Sequence, residues 1–317
     1  MRRWMAICLL ATLAGAGPVR ARSHGHRDHR GLNALNRPGP TAAEVRAALE
    51  ALRSGDARLC TLAVDRLAQG GWDSGRQRLA GEEVLPIPDR GPAKAPEVIG
   101  VLGDALADPR PCVRRAAAVW LGDSPTPDAQ GKLVTALRSA SAATREAAAY
   151  GLGVHGDGAG RQELLAALRD GTPPVAVAAA WALGRSADPR NTPALKNALG
   201  HADPAVRRAA AESLGSSEDP TAVDPLLARR QDPDAGVRAA VAEALGDIED
   251  RRAVPALVAM AADRDTEVRT AALHALARME DPAALEVAQG LGHRGADARI
   301  RVLAPGEQRV LRGGVLR

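Results

Sequence analysis

Residues 232–246 form the stretch DPDAGVRAAVAEALG. Its apolar residues lie eight, five and four places before Leu245 and at Leu245 itself. That spacing is typical of a helix that buries one face. Gly246 follows directly and predicts a left-handed cap that ends the helix. The stretch therefore predicts one amphipathic helix with a defined end.

The same pattern recurs every 31 residues along the chain. Each unit has a leucine that we call its anchor, a second leucine nineteen places earlier and an alanine five places earlier. Glycine follows the first five anchors, and alanine follows the sixth. Three registers that hold over six units indicate a repeat architecture. The anchors are Leu121, Leu152, Leu183, Leu214, Leu245 and Leu276.

Each unit predicts two helices, the second of which ends at the anchor. An aspartate recurs just before the next first helix, where its side chain can cap free N–H groups. A pair of short helices cannot bury both of its faces, so neighbouring units must stack into one continuous core. The sequence thus predicts an all-α fold, an α-solenoid of about seven two-helix repeats. The recurring small alanines let helices approach closely, which explains how a chain without Phe can fold.

An earlier unit precedes the six with anchors in register. Helical patterns at residues 41–52 and 56–69 make Leu67 its anchor. Leu67 and Leu121 are 54 residues apart, which is one period plus an insertion of 23 residues. We expect this insertion, rich in Gly, Pro and charge, to lie within residues 71–95. Long insertions in repeat arrays project from one edge of the array.

The two ends of the chain lie outside the array, which we place at residues 41–303. Residues 1–21 begin with Met-Arg-Arg, continue with an uncharged apolar run of 13 residues and end in small residues. That order predicts a secretory signal peptide, since the run is too short to span a membrane. A His-rich linker (22–40) follows it, and an Arg-rich tail (304–317) ends the chain. We expect an exported protein, periplasmic or extracellular, with no membrane span after cleavage.

Composition and charge exclude several functional classes. Aromatic residues make up only 2% of the chain, which argues against modules that bind nucleic acid by base stacking. The net charge of +4 falls to +1 once the signal peptide, with three arginines and no acid, is removed. A nearly neutral mature chain offers no overall attraction to nucleic acid.

The stretch 232–246 resembles a HEAT repeat, and the 31-residue period is similar to the short HEAT-like repeats named after phycobilisome lyases. The resemblance covers about residues 41–303 and implies an armadillo-type solenoid. The family includes scaffolds, pigment-attachment proteins and a metal-dependent hydroxylase of lysine-derived residues, so the fold leaves the function open. That hydroxylase holds iron with His-Glu dipeptides, and this sequence contains none.

An arginine recurs seven places before five of the six anchors. A row of guanidinium groups could grip an acidic partner. In HEAT-like arrays, by resemblance, such arginines and the aspartates six residues ahead of them form a hydrogen-bond ladder that ties repeats together. We expect this structural role. The ladder consists of Arg114, Arg145, Arg207, Arg238 and Arg269, with Ala176 in the remaining unit.

The resemblance also implies that the second helices line the concave side of the array. Residues two and six places before the anchors are then candidates for its exposed face. Exposed Trp and Tyr are preferred anchors of protein interfaces, although the same rings could instead fill gaps in an Ala-rich core. We expect the partner-binding residues to be Val119, Tyr150, Val177, Trp181, Glu212 and Glu243.

The linker contains a concentrated set of possible metal ligands: His24, His26 and His29. If the signal peptide is cleaved after Ala21, the mature chain begins Arg-Ser-His, which resembles the amino-terminal copper and nickel motif. Its four nitrogens in a square plane would suit Cu(II) or Ni(II). Cleavage after Ala16 would leave only a flexible His-rich segment. The histidines could equally belong to a solvated linker. We therefore expect no cofactor, with Cu or Ni at the N-terminus as the alternative.

Two cysteines remain after cleavage, and both lie early in second helices of neighbouring units. An exported compartment permits a disulfide between Cys60 and Cys112. Repeat neighbours, however, lie farther apart than disulfide geometry usually tolerates. We therefore expect two buried free thiols.

The sequence contains no Gly-x-Ser-x-Gly, phosphate loop, His-Glu-x-x-His or Cys-x-x-Cys motif. We therefore expect a non-enzymatic scaffold whose concave face binds a protein or peptide. Two alternatives remain: an accessory subunit of an enzyme system with lyase- or hydroxylase-like ancestry, and metal capture by the N-terminal histidines. The sequence leaves the partner's identity and the oligomeric state open.

Overall fold

The computed structural model describes residues 39–55 and 92–279, and all regular structure in these two segments is helical. The predicted helix at 56–69, most of the insertion and everything after Met279 lie outside the described residues. The helices are α1 (Ala42–Arg53), α2 (Pro96–Ala105), α3 (Pro111–Asp123), α4 (Pro127–Ala136), α5 (Ala142–His155), α6 (Arg161–Ala167), α7 (Pro173–Arg185), α8 (Thr192–Ala198), α9 (Pro204–Ser216), α10 (Val223–Ala228), α11 (Ala235–Ile248), α12 (Val254–Met260) and α13 (Thr266–Arg278).

Helices α2 to α13 form six two-helix units in a row. The second helices (α3, α5, α7, α9, α11 and α13) are 13 or 14 residues long and pack against one another in chain order. The shorter first helices each pack on the second helix of their own unit, and α1 packs on α2 and α3. The prediction of an α-solenoid is therefore confirmed.

One hydrophobic core runs through the described units. All six anchor leucines are at most 2% exposed, and so are the leucines nineteen places before them. The alanines five places before the anchors are also buried, which lets successive second helices approach closely. Leu, Val and Ala thus form a continuous interior with few aromatic rings.

The glycines that follow the anchors do not end the second helices, so that prediction is wrong. Gly184 lies inside α7, and a Cβ at this position would overlap Ser213 on α9. Gly215 and Gly246 approach the next second helix in the same way. The glycine is required because the next helix passes directly over it, which leaves no room for a side chain.

The left-handed residue lies four places after the anchor instead. Gly156 occupies this position after α5 with a φ of 73°. The next three units place Ala187, Glu218 and Glu249 there, with φ between 49° and 57°. A non-glycine residue in this region carries strain, so three turns between units are strained at the same place in the repeat.

The periodic aspartates begin the next first helices as the sequence predicts. The carboxylates of Asp188, Asp219 and Asp250 each accept a hydrogen bond from the backbone N–H two residues later. Each of them precedes a short 3₁₀ helix that continues into α8, α10 or α12. The caps fix where each new unit starts.

The end of the predicted insertion belongs to the array. Pro92 and Ala93 are buried, and the hydroxyl of Ser124 donates to the carbonyl of Ala93 at 2.5 Å. Ser124 lies one period after Ala93, so residues 92–95 form the ordinary loop before α2. Residues 92–95 thus pack with the array, at the end of the segment that the sequence assigns to the insertion.

Candidate functional site

The ladder arginines tie neighbouring units together. In Arg207, Nε and Nη2 donate to the two carboxylate oxygens of Asp232 in the next unit, at 2.8 and 2.7 Å. Its Nη1 also donates to the carbonyls of His201 and Ala202 in its own unit. One side chain therefore binds the loop of its own unit and the aspartate of the next unit. Arg145 with Asp170 and Arg238 with Asp263 repeat this bidentate arrangement.

The predicted pairing of arginine and aspartate differs in one respect. Each ladder arginine donates to main-chain carbonyls in the loop of its own unit. Where it also binds a carboxylate, that carboxylate belongs to the following unit, 25 residues later. Arg114 has a serine, Ser139, at that following place, and its Nη1 binds only the carbonyls of Asp108 and Pro109. Ala176 is likewise followed by His201. The carboxylate ladder is thus interrupted in the early units.

The ion pairs hold the ladder carboxylates in their charged form. The hydrogen bond from Arg145 lowers the pKa of Asp170, and the one from Arg238 lowers the pKa of Asp263. At Asp232 burial alone would raise the pKa, but hydrogen bonds from Arg207 and from the backbone outweigh it, so the net shift is downward. These three arginines are already engaged in ion pairs within the protein.

We call the exposed and half-buried residues two and six places before the anchors, together with those two places after them, the second-helix face. Tyr150, Trp181 and Val177 lie there half-buried, and Glu212 and Glu243 are exposed. Val119 does not belong to the face, because its side chain is fully buried in the core. Its prediction as a partner-binding residue is wrong: an isolated apolar side chain gains more from packing inside than from exposure.

Tyr150 and Trp181 stack on each other, with ring centroids 4.8 Å apart and planes inclined by 12°. The guanidinium of Arg115 covers the Tyr150 ring at 5.5 Å, and that of Arg185 covers the Trp181 ring at 5.8 Å. The four side chains come from α3, α5 and α7, so they span three units. We call them the Arg–aromatic stack.

Gly153 provides the seat for this stack. A Cβ on Gly153 would overlap the six-membered ring of Trp181, whose edge lies against α5. The same glycine that lets α7 approach α5 therefore also lets the indole lie across the joint. Tyr150, one turn earlier on α5, then meets the indole face to face.

Arg185 is a member of the stack that the repeat pattern does not predict. A helix that ends at Gly184 would place Arg185 in a loop. In the structure α7 extends to Arg185, four places after Trp181, which is the spacing at which helical side chains meet. An aromatic residue followed by arginine at that spacing is the signal that could have found it.

The later half of the second-helix face is charged and largely paired. Arg208 binds Glu212 at 2.8 Å, and Arg278 lies 3.3 Å from Asp247. Partial desolvation of the carboxylates raises the pKa of Glu243 and of Asp247, although the nearby Arg278 opposes both shifts. The face thus changes from aromatic in the early units to charged, with both signs, in the later ones.

Cys112 forms a disulfide, so the prediction that it is a free thiol is wrong. Its partner lies outside the described residues. The predicted ligands His24, His26 and His29 also lie outside the described residues. Within residues 39–55 and 92–279, no three His, Cys, Asp or Glu side chains come together as a metal site.

The fold and the ladder together define an α-solenoid built from HEAT-type units. The chain belongs to the HEAT-repeat family, because the model of HEAT repeats matches residues 99–173, 161–235 and 223–304 in succession. The three matches start 62 residues apart, which is twice the period in the sequence. None of the curated proteins matches the chain. In the described segments, no helix has the length and apolar character needed to cross a membrane.

Several solved structures are similar to the chain. The complex of CpcE and CpcF of phycocyanin lyase from Nostoc is 20% identical, with a TM-score of 0.44, over 87% of this chain and 99% of that one. YibA from Escherichia coli is 18% identical (TM-score 0.46; 75% and 91% covered). Human deoxyhypusine hydroxylase is 20% identical (TM-score 0.34; 75% and 96% covered). Likeness at this level carries no information about activity.

Proposed function

We propose that this protein is a non-enzymatic, exported scaffold that binds a protein or peptide on its second-helix face. The Arg–aromatic stack carries the proposal. Large rings and arginines that remain accessible at the surface are the residues that contribute most to protein interfaces. Here they are grouped on three adjacent helices and already fixed in position by packing, which lowers the entropy lost on binding.

The rest of the molecule supports this role. The ladder and the core use the arginines, leucines and alanines of the repeat to build a rigid array. What the repeat leaves to vary is the second-helix face, so this surface is suited to recognition. The disulfide at Cys112 fits an oxidising compartment, in agreement with export by the N-terminal segment.

Site-specific photocrosslinking tests the proposal. A photoreactive residue replaces Glu212 on the second-helix face in one variant and the exposed Gln162 of α6 in a matched control. Each variant, with and without the Tyr150→Ala/Trp181→Ala substitutions, is incubated with the native exported fraction and irradiated. We expect a discrete adduct from position 212 alone, and its loss when the rings are removed.

The controls decide between this role and its alternatives. Thermal unfolding must show that the Tyr150→Ala/Trp181→Ala variant is folded. Equal adducts from positions 212 and 162, or an adduct that survives removal of the rings, would contradict a binding site on the second-helix face. A tightly bound metal in stoichiometric amount in the purified protein would instead favour the accessory-subunit alternative.

A further inference from the structure

We infer that the partner segment that binds the Arg–aromatic stack is an acidic peptide whose carboxylates pair with Arg115 and Arg185. This inference rests on the proposed function and names the chemistry of its partner. It follows from three observations: the state of the two guanidiniums, the covered faces of the two rings and the distribution of charge along the second-helix face.

Both guanidiniums of the stack lack a carboxylate partner among the described residues. The ladder arginines with a following aspartate are in bidentate ion pairs, and Arg208 and Arg278 are paired on the later half of the face. Arg115 and Arg185 have only the rings beneath them. A bound carboxylate would supply an acceptor for each guanidinium, and such charge-assisted bonds are strong.

The rings themselves favour a peptide over a nucleic acid. Proteins that bind single strands use open ring faces on which bases stack. In this stack Tyr150 and Trp181 cover one face of each other, and the two arginines lie over the rings as well. The rings offer their edges, which suit small apolar side chains that alternate with acidic ones.

Ion pairing along the face favours its early half for an acidic segment. The later half carries charges of both signs, and its two arginines are already in ion pairs. The early half carries acids as well, Glu146 on α5 and Asp123 on α3. The guanidiniums of Arg115 and Arg185 nevertheless lie over rings, and the described residues give them no ion pair. They are therefore available to carboxylates of a segment that lies over α3, α5 and α7, on either side of the aromatic pair.

Fluorescence anisotropy with defined probes tests the inference on the full chain. The probe is a labelled, end-blocked peptide in which Glu alternates with Ala, compared with its Lys–Ala counterpart and a labelled oligothymidylate. The proteins are the parent, Arg115→Gln/Arg185→Gln, and a control, Arg138→Gln/Arg190→Gln. The control loses the same charge at two exposed positions away from the stack.

We expect the Glu–Ala peptide to bind the parent at low salt and to bind Arg115→Gln/Arg185→Gln about tenfold more weakly or worse. The control should bind as the parent does. Because Arg185 is half-buried, Arg115→Gln alone provides a second variant, and it should also weaken binding.

Three results would overturn the inference: no binding of the Glu–Ala peptide, equal loss in both double variants, or tighter binding of the oligothymidylate. These outcomes are independent of the photocrosslinking result. An adduct at position 212 without binding of the acidic peptide would leave the scaffold role intact and remove only its acidic partner. Binding of the peptide without any adduct would leave the acidic-peptide site intact and contradict binding of a native partner next to position 212.

Discussion

At the scale of single residues, Gly153 is the position where packing and the proposed site meet. The Trp181 ring occupies the space that a side chain on Gly153 would need. We expect Gly153→Ala to displace that ring and to destabilise the fold by about 1–3 kcal/mol, the usual cost of overpacking. Urea unfolding gives the free energy, and a changed Trp emission spectrum reports the altered indole environment.

Gly131 is the matched control for this substitution. It lies exposed within α4, and a Cβ there would meet nothing within 4 Å. Gly131→Ala should therefore stabilise the protein by about 0.5–1 kcal/mol, because alanine loses less entropy in a helix. Equal effects at both positions would mean that helix propensity, and not the seat of Trp181, decides the result.

At the scale of structural elements, the ladder joins each second helix to the next unit. The Asp232 side chain is only 1% exposed and depends on Arg207. Arg207→Ala should cost about 3–5 kcal/mol, since it leaves a buried charge unpaired. Arg114→Ala should cost clearly less, because Arg114 binds two carbonyls and no carboxylate of the next unit. Chemical denaturation measures both.

A second substitution separates the ion pair from general damage to the loop. In Arg207→Ala/Asp232→Ala, the unpaired carboxylate is removed as well. Part of the lost stability should return. A double variant that is as unstable as the sum of the two single variants would show that the ladder acts through its main-chain contacts alone.

The ladder also makes stability depend on pH. Because Arg145 lowers the pKa of Asp170 in the folded chain, the stabilisation is complete above the unfolded-state pKa, about 4. It is lost as the pH falls through the lowered folded pKa. Asp170→Asn should thus be less stable than the parent at neutral pH, and the difference should shrink as the pH drops below about 4.

This comparison is made as a difference because other groups act in the opposite direction. Burial raises the pKa values of Glu243 and Asp247, so their protonation favours the folded chain as the pH falls. Denaturant midpoints of the parent and of Asp170→Asn, measured in parallel across the acid range, cancel that contribution. A constant gap at every pH would contradict a role for the Asp170 charge.

At the scale of the whole molecule, the repeat makes the fold predictable from the sequence. The candidate site is less predictable, because it depends on residues that differ from one unit to the next. The period placed Leu183 and its counterparts in the core because every unit must bury the same positions. The stack depends on features within single units: α7 extends one residue past Gly184, which brings Arg185 over Trp181. The burial of Val119 likewise depends on its particular neighbours, which a period averages away.

The same repeat structure predicts how the molecule loses stability. In an array of this kind each unit contacts only its neighbours, so a lesion should act locally. Leu183 lies in the middle of the array and is 1% exposed. Replacing it by Ala should lower the free energy of unfolding by about 2–5 kcal/mol. Hydrogen exchange followed by mass spectrometry should then show amides of α5, α7 and α9 exchanging roughly 30-fold faster or more. Protection in α13 should change much less. Uniform loss across all described helices would instead show that the array unfolds as one cooperative unit, as a globular domain does.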